Sequence, residues 1–356
     1  MPQKIPATVI TGFLGAGKTT LIRNLLAQSN GRRIALIVNE FGDIGIDGEV
    51  LKGCGDADCA DEDIVELSNG CICCTVADDF IPTIKALIDR PAPPDHIVIE
   101  TSGLALPQPL VRAFGWPEIR TRVTVDGVVT LVDGPATDAG QFAHDLDAIE
   151  AQRAADDTLD HDTSLSELFE DQIACADMIV VSKTDAMETE AVDRVLASLD
   201  AASRDGVQFL QSSAKGLSPD VLLGLGIGAE DDMAARHEHH HHHHEEDGHD
   251  HHHHHHHHHH HDHDDFESFV VDLGEVADAV TFAERLADTI RAHGVLRLKG
   301  FIAVQNKPMR LVVQAVGPRI ETYFDRPFGE EPRVTRLVVI GLSGLDRTAI
   351  RSSLSG

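Results

Sequence analysis

The sequence predicts an α/β protein: a mostly parallel sheet covered by helices, followed by a smaller α+β carboxy-terminal domain. Three observations carry that expectation. Short apolar runs alternate with helix-like segments up to about Leu225, the pattern of a parallel sheet with crossover helices. The first run leads directly into a glycine-rich loop and a helix. From Arg236 to Asp265 the composition then collapses to His, Asp, Glu and one Gly, with twenty histidines between His237 and His263, so the stretch has nothing to bury.

The elements follow in order. Residues 5–10 predict an apolar strand, and residues 20–28, after the glycine loop, have helical spacing. Residues 34–38, 96–99, 123–132, 178–181 and 207–210 predict further strands, each a short apolar run suited to a sheet covered on both faces. Beyond the histidine-rich stretch, residues 266–273 alternate like a strand and residues 276–292 are helical in period. Residues 295–304, 310–316 and 334–340 predict three more strands, and residues 346–352 a final short helix. The expected organisation is a first domain over residues 1–228, a disordered linker over 229–265 and an α+β domain over 266–356.

Composition narrows the function. A chain of 356 residues is too long for one simple core, and a formal net charge of -30 argues against sequence-independent nucleic-acid binding and against an anionic membrane surface. With one Trp, Trp116, and one Tyr, Tyr323, the core rests on aliphatic residues. There is no run of about eighteen apolar residues, so no spanning helix is expected. The first strand runs straight into the glycine loop, which leaves no room for a signal peptide and predicts a cytoplasmic protein. In a reducing compartment, closely spaced cysteines read as metal ligands or redox groups rather than disulfides.

Gly12-Phe13-Leu14-Gly15-Ala16-Gly17-Lys18-Thr19 fits the phosphate-binding P-loop pattern and stands between a strand and a helix, as that mechanism requires. Backbone N–H groups from Gly12, Gly15, Ala16 and Gly17 through Thr20 are expected to converge on phosphate oxygens at the helix N-terminus. Lys18 offsets β- and γ-phosphate charge, and the Thr19 hydroxyl can ligate Mg2+. Glu100-Thr101-Ser102-Gly103, after the strand at 96–99, reads as the acidic-x-x-Gly element that senses the γ-phosphate, with its carboxylate expected near the magnesium; the alternative is a strand-end turn. Lys18, Glu100 and Gly103 are therefore the candidate catalytic residues. Asn39-Glu40-Phe41-Gly42 puts another carboxylate at the same sheet edge, Glu40 being read as a metal or magnesium-shell residue and alternatively as a solvated loop acid. Base identity comes from Ser182-Lys183-Thr184-Asp185. In guanine-binding GTPases this element is Asn-Lys-x-Asp, its last carboxylate accepting from the guanine N–H groups, and here Ser182 replaces the Asn. Ser213-Ala214-Lys215 matches the accompanying Ser-Ala-Lys loop, so GTP is expected over ATP.

Cys71-Ile72-Cys73-Cys74 places three thiols in four residues of a chain with six cysteines, which points to a soft-metal site for Zn(II) or Co(II). The bland alternative is three small buried hydrophobes. Cys54 and Cys59 are read as loop thiols that could add ligands, and Cys175 as a core residue. The histidine tract suits a low-specificity metal buffer or a solubilising linker. His96, opening a strand, reads as structural.

The order of these motifs resembles the metal-handling GTPases related to CobW. The resemblance rests on residues 12–20, Asn39-Glu40-Phe41-Gly42-Asp43, Asn69-Gly70-Cys71-Ile72-Cys73-Cys74 and residues 100–106, and it covers nearly the whole chain. It implies a GTP-dependent metallochaperone in which Mg2+ and GTP order the loops at 39–47 and 100–103 around a cargo site at Cys71, Cys73 and Cys74. In the CobW subgroup it implies Co2+ delivery to a client metalloenzyme, the cobaltochelatase of cobalamin synthesis. A zinc chaperone, a histidine-rich metal store and a small-molecule kinase are the competing readings.

Overall fold

The computed structural model describes residues 4–29, 31–39, 64–67, 80–155, 164–213, 217–233, 236, 266–316, 319–329, 332–342 and 344–355. The chain divides into two compact units, Met1–His251 and His252–Gly356.

In the first unit β1 (Ile5–Thr11) leads into α1 (Lys18–Ala27), followed by β2 (Ile34–Asn39), β3 (Ile64–Leu67), α2 (Ile81–Ile88) and β4 (His96–Glu100). Next come α3 (Pro107–Ala113), β5 (Val123–Asp133), the short α4 (Gly134–Asp138), α5 (Leu146–Ala155) and α6 (Leu165–Cys175). The unit is completed by β6 (Met178–Ser182), α7 (Thr189–Ala202), β7 (Gln208–Ser212) and α8 (Pro219–Leu222). All seven strands pair in parallel, in the order β3-β2-β4-β1-β5-β6-β7. Every residue of β4 and β6 is buried, which is why the residues inside their polar ends His96, Glu100 and Ser182 form unbroken apolar runs rather than alternating ones. The chain reverses its direction of travel across the sheet around β1, and the loops following β1, β4, β5, β6 and β7 meet at one carboxyl edge, where ligands of such sheets bind.

A register shift between Ala7 and Thr8, where β1 pairs with β5, lets Asp126 leave the ladder. Its buried carboxylate accepts the Leu225 N–H at 2.8 Å and the Gly226 N–H at 2.7 Å. His96 sits 2.8 Å from the Thr8 hydroxyl beneath this lock and is structural, as its position at a strand start implied.

The packed chain runs past residue 228, a correction to the expected linker boundary. Glu230 accepts the Val125 N–H at 2.8 Å and the Thr124 hydroxyl at 2.6 Å. Arg236 is fully buried and donates to the carbonyl of Cys175 and, at 2.7 Å, to Asp177.

The second unit is an antiparallel sheet in the order β11-β10-β9-β12-β8, built from β8 (Phe266–Leu273), β9 (Val295–Ile302), β10 (Met309–Val316), β11 (Arg319–Pro327) and β12 (Thr335–Leu342). Two helices, α9 (Ala279–His293) and α10 (Arg347–Ser355), cover one face: Phe282, Leu286, Ile290, Ile350 and Leu354 pack on Val271, Leu298, Leu311, Val313, Leu337 and Val339. The expected helix at 276–292 starts later because Val276 bonds to the backbone of Ala303 and Gln305, and Asp278 then caps α9 by accepting the Thr281 N–H at 2.8 Å. Among the described residues no helix is long and apolar enough to cross a membrane.

Candidate nucleotide site

The glycine loop is shaped by what surrounds it. Gly12 has φ 134°, and a Cβ there would lie 2.3 Å from the carbonyl oxygen of Leu131 on β5, so only glycine lets the loop cross the sheet edge this closely. Phe13 anchors the loop from below, its ring 6.0 Å from Phe142 and 6.1 Å from Phe169 in a cluster with Leu104, Ile149 and Leu168. At the other end Gly17 stands at the N-cap of α1 and offers no side-chain cap, which leaves the first-turn N–H groups directed at the loop. Lys18, 8% exposed, reaches back over the loop and donates to the carbonyls of Gly12 at 2.7 Å and Phe13 at 3.3 Å. Its ammonium thus stands at the centre of the loop, where phosphate oxygens would compete for it.

Glu100 ends β4 beside Ile10 of β1 and is buried. The next residue ties this element to β1 twice, through Thr101 N–H to the Ile10 carbonyl at 3.0 Å and the Thr101 hydroxyl to that of Thr11 at 2.9 Å. Gly103 packs against the P-loop itself: a Cβ there would meet the Leu14 nitrogen at 2.8 Å and the Phe13 carbonyl carbon at 3.3 Å. Buried Gln172 of α6 holds this segment by donating to the carbonyls of Gly103 at 3.0 Å and Ala105 at 3.2 Å.

Ser182 ends β6, with its hydroxyl donating to the Val132 carbonyl at 3.1 Å, and its Cβ lies 4.0 Å from where a Cβ on Gly17 would stand. The base-reading candidate therefore borders the phosphate loop. Lys183 follows in the left-handed region and opens a short 3-10 turn, Thr184–Ala186, that carries exposed Asp185. The Lys183 ammonium pairs with buried Asp133 at 2.5 Å, and the Thr184 hydroxyl donates to the Ser212 carbonyl at 3.3 Å, next to Ser213. The candidates Gly12 to Thr20, Glu100, Gly103, Ser182, Lys183, Asp185 and Ser213 are all on the carboxyl side of the sheet. Ala214, Lys215, Glu40, Cys54, Cys59, Cys71, Cys73 and Cys74 lie outside the described residues. Among the described residues no group of three His, Cys, Asp or Glu side chains is placed to hold a metal ion.

Hard oxygen donors suit Mg2+, and the residues present fit such an ion: the Thr19 hydroxyl on the first turn of α1 and the Glu100 carboxylate at the end of β4 could supply one donor each, with phosphate oxygens supplying others. Two residues of this site escaped the sequence reading, Asp133 and Gln172. An acid closing an apolar strand was a signal for Asp133; a glutamine inside a helix gave none. Cys175, read as core, is buried at the end of α6, and burial pushes its thiol up to about 11 against the nearby Arg236 charge.

Residues 6–211 match the family model described as the CobW/HypB/UreG nucleotide-binding domain, and residues 266–356 match that of the cobalamin synthesis protein CobW carboxy-terminal domain. The chain is 54% identical over 353 residues to a protein of Sinorhizobium sp named zinc chaperone CobW, covering 99% of this chain and 97% of that one. A Pseudomonas aeruginosa protein of the same name is 48% identical over 359 residues, covering 99% and 91%. The zinc chaperone YjiA of Escherichia coli is 29% identical over 361 residues, covering 99% and 98%. The crystal structure of Zn(II)-bound YjiA GTPase aligns at 24% identity with a TM-score of 0.39, covering 99% of this chain and 98% of that one.

Proposed function

The chain belongs to the CobW/HypB/UreG family of P-loop GTPases and carries the CobW carboxy-terminal domain, and from that premise we propose that it is a GTP-dependent chaperone for Zn(II), bound at Cys71, Cys73 and Cys74. One observation carries the reading: a phosphate loop, an acidic-x-x-Gly element and a guanine element converge on one sheet edge in a chain that also carries three thiols in four residues. Zinc is favoured over cobalt by the names of the full-length relatives, since thiolates alone accept both metals. Cobalt delivery to a cobaltochelatase is the second reading, supported by the match to a cobalamin synthesis domain.

In this mechanism GTP phosphates enter the loop between Gly12 and Thr20, and Lys18 exchanges its carbonyl partners for β- and γ-oxygens. Bound through Thr19 and Glu100, Mg2+ would offset charge developing on the phosphates during hydrolysis. Gly103, already against the P-loop, offers its N–H to the γ-phosphate, so loss of that phosphate releases one contact on the segment that Gln172 otherwise holds. Asp185 and the Ser213 loop select the base.

Nucleotide state and metal affinity must then be coupled equally in both directions. The test is Zn(II) and Co(II) affinity of the full chain with a non-hydrolysable GTP analogue and with GDP. Tighter binding with the analogue is expected, and equal values would refute the switch. Deleting residues 237–265, which retains Arg236, should lower metal stoichiometry and leave one tight nucleotide-dependent site. Loss of that site would make the histidine tract a metal store.

A further inference from the structure

Asp133 closes β5, is 1% exposed, and is used twice. One carboxylate oxygen accepts the Ala136 N–H at 3.2 Å and caps α4; the other accepts from the Lys183 ammonium at 2.5 Å. Lys183 has φ 59°, a conformation that a side-chain-bearing residue adopts at a cost and keeps only where its surroundings hold it there. It is also the residue on which the chain turns from β6 into the 3-10 turn bearing Asp185. Ser182 cannot brace this turn from within, because its short side chain is committed to the Val132 carbonyl. Asp133 and Ser182 are register partners across β5 and β6, so the carboxylate lies directly beside the turn it has to hold.

We propose that Asp133 is a positioning residue for guanine selection: through its ion pair with Lys183 it fixes the turn that presents the Asp185 carboxylate to the base. The inference rests on the reading of Asp185 as the guanine acceptor. It explains how a chain with Ser in place of Asn in this element still presents an ordered base loop, with the brace supplied from the end of the neighbouring strand.

The experiment measures kcat and KM for GTP, ITP and ATP on the full chain with Asp133→Asn, Lys183→Met, the double substitution and Asp185→Ala. Asn at 133 keeps an oxygen for the α4 cap and removes the charge. Asp133→Asn should raise the KM for GTP about tenfold, the scale of one charge-assisted hydrogen bond, with kcat within about twofold and a matching fall in the GTP-over-ATP preference. Lys183→Met should act similarly, and the double variant should be no worse than the single ones, because both break one unit. If Asp185→Ala abolishes the preference for GTP while Asp133→Asn leaves it intact, or lowers kcat alone, the positioning role is overturned. If Asp185→Ala itself leaves the preference unchanged, the guanine reading beneath it fails. Should Asp133→Asn fail to fold, Lys183→Met decides, since its side chain is 42% exposed and not part of the core; an unchanged preference there overturns the proposal.

Discussion

Asp177 should be the costliest single carboxylate to remove from the first unit. It is buried between three donors: the Val128 N–H at 2.9 Å, the Arg236 guanidinium at 2.7 Å, and the Arg204 guanidinium. Burial is the largest influence on Arg236 and works against its charged form, yet Asp177 and Cys175 together outweigh it and hold the guanidinium pKa above its ordinary value. Asp177→Ala leaves two guanidinium groups without this partner, one of them fully buried, and removal of one partner from such a pair costs about 3–5 kcal/mol. Arg236→Met is different, because Asp177 keeps Arg204 and the Val128 N–H, so the loss is chiefly the bond to the Cys175 carbonyl, about 1–2 kcal/mol. Urea unfolding followed by fluorescence of Trp116, the chain's single tryptophan, reports on the first unit alone. With a slope of about 2–3 kcal/mol per molar urea, Asp177→Ala should lower the midpoint by about 1–2 M and Arg236→Met by less than half as much. Equal shifts for the two variants, or a shift below about 0.3 M for Asp177→Ala, would refute the account of a buried, mutually dependent cluster.

Gly103→Ala should reduce GTP turnover about tenfold or more with a smaller change in KM, since its Cβ would push on the Leu14 nitrogen 2.8 Å away and cost about 1–3 kcal/mol unless the loop moves; unchanged steady-state turnover would refute the close packing. Cys175, buried and with its thiol raised to about 11, should stay unmodified by iodoacetamide in native protein at pH 8, as read by peptide mass spectrometry, and label only on unfolding. In the second unit Glu267, Asp272, Asp278 and Asp325 are all held below their ordinary 4.5 or 3.8, by hydrogen bonds from Arg347, Arg336, the Thr281 N–H and Arg310 respectively. Depressed carboxylates contribute stability that is complete above those ordinary values and lost as pH falls through the lower folded ones. Hydrogen-exchange protection of β10 and β12 should therefore hold from neutral pH to about 5 and fall below about 4; protection that rises on acidification would contradict the sign.

What could be read in the sequence was what chemistry confines to neighbouring residues. The P-loop was legible because backbone N–H groups, an ammonium and a hydroxyl must follow one another at fixed spacing. Buried parallel strands were legible as apolar runs, while β11 was missed because residues 322–327 are exposed on both faces of an edge strand and carry no alternation. The late start of the second unit's first helix was hidden because Val276 has the helical period but spends its backbone on Ala303 and Gln305. Arg236 was assigned to the polar tract because composition cannot see a partner 59 residues upstream. Asp133 and Gln172 were missed for the same reason, acting on residues 50 and 69 positions away.

Those distant partners share a location. Four consecutive residues at the end of β5 each hold a different part of the nucleotide edge. The Thr130 hydroxyl donates to the Gln172 carbonyl at 3.0 Å, and Gln172 in turn holds Gly103. The Leu131 carbonyl sets how closely Gly12 can cross the sheet, the Val132 carbonyl accepts from Ser182, and Asp133 accepts from Lys183. A strand is rigid along its length and its residues alternate sides, so the glycine loop, the acidic-x-x-Gly element and the candidate base loop are all aligned on one piece of backbone. That alignment depends on register, because a slip of one residue would turn the Thr130 and Asp133 side chains to the opposite face and aim the Leu131 and Val132 carbonyls at the opposite neighbouring strand. The register shifts upstream, where Asp126 bulges out of β5 opposite Ala7 and Thr8; its carboxylate accepts from the Thr8 hydroxyl of β1 at 3.3 Å and from the Leu225 and Gly226 N–H groups. Residues on the edge opposite the candidate nucleotide site therefore act on it through strand position, and Asp126, which contacts none of the candidate residues, bears on their alignment in this way.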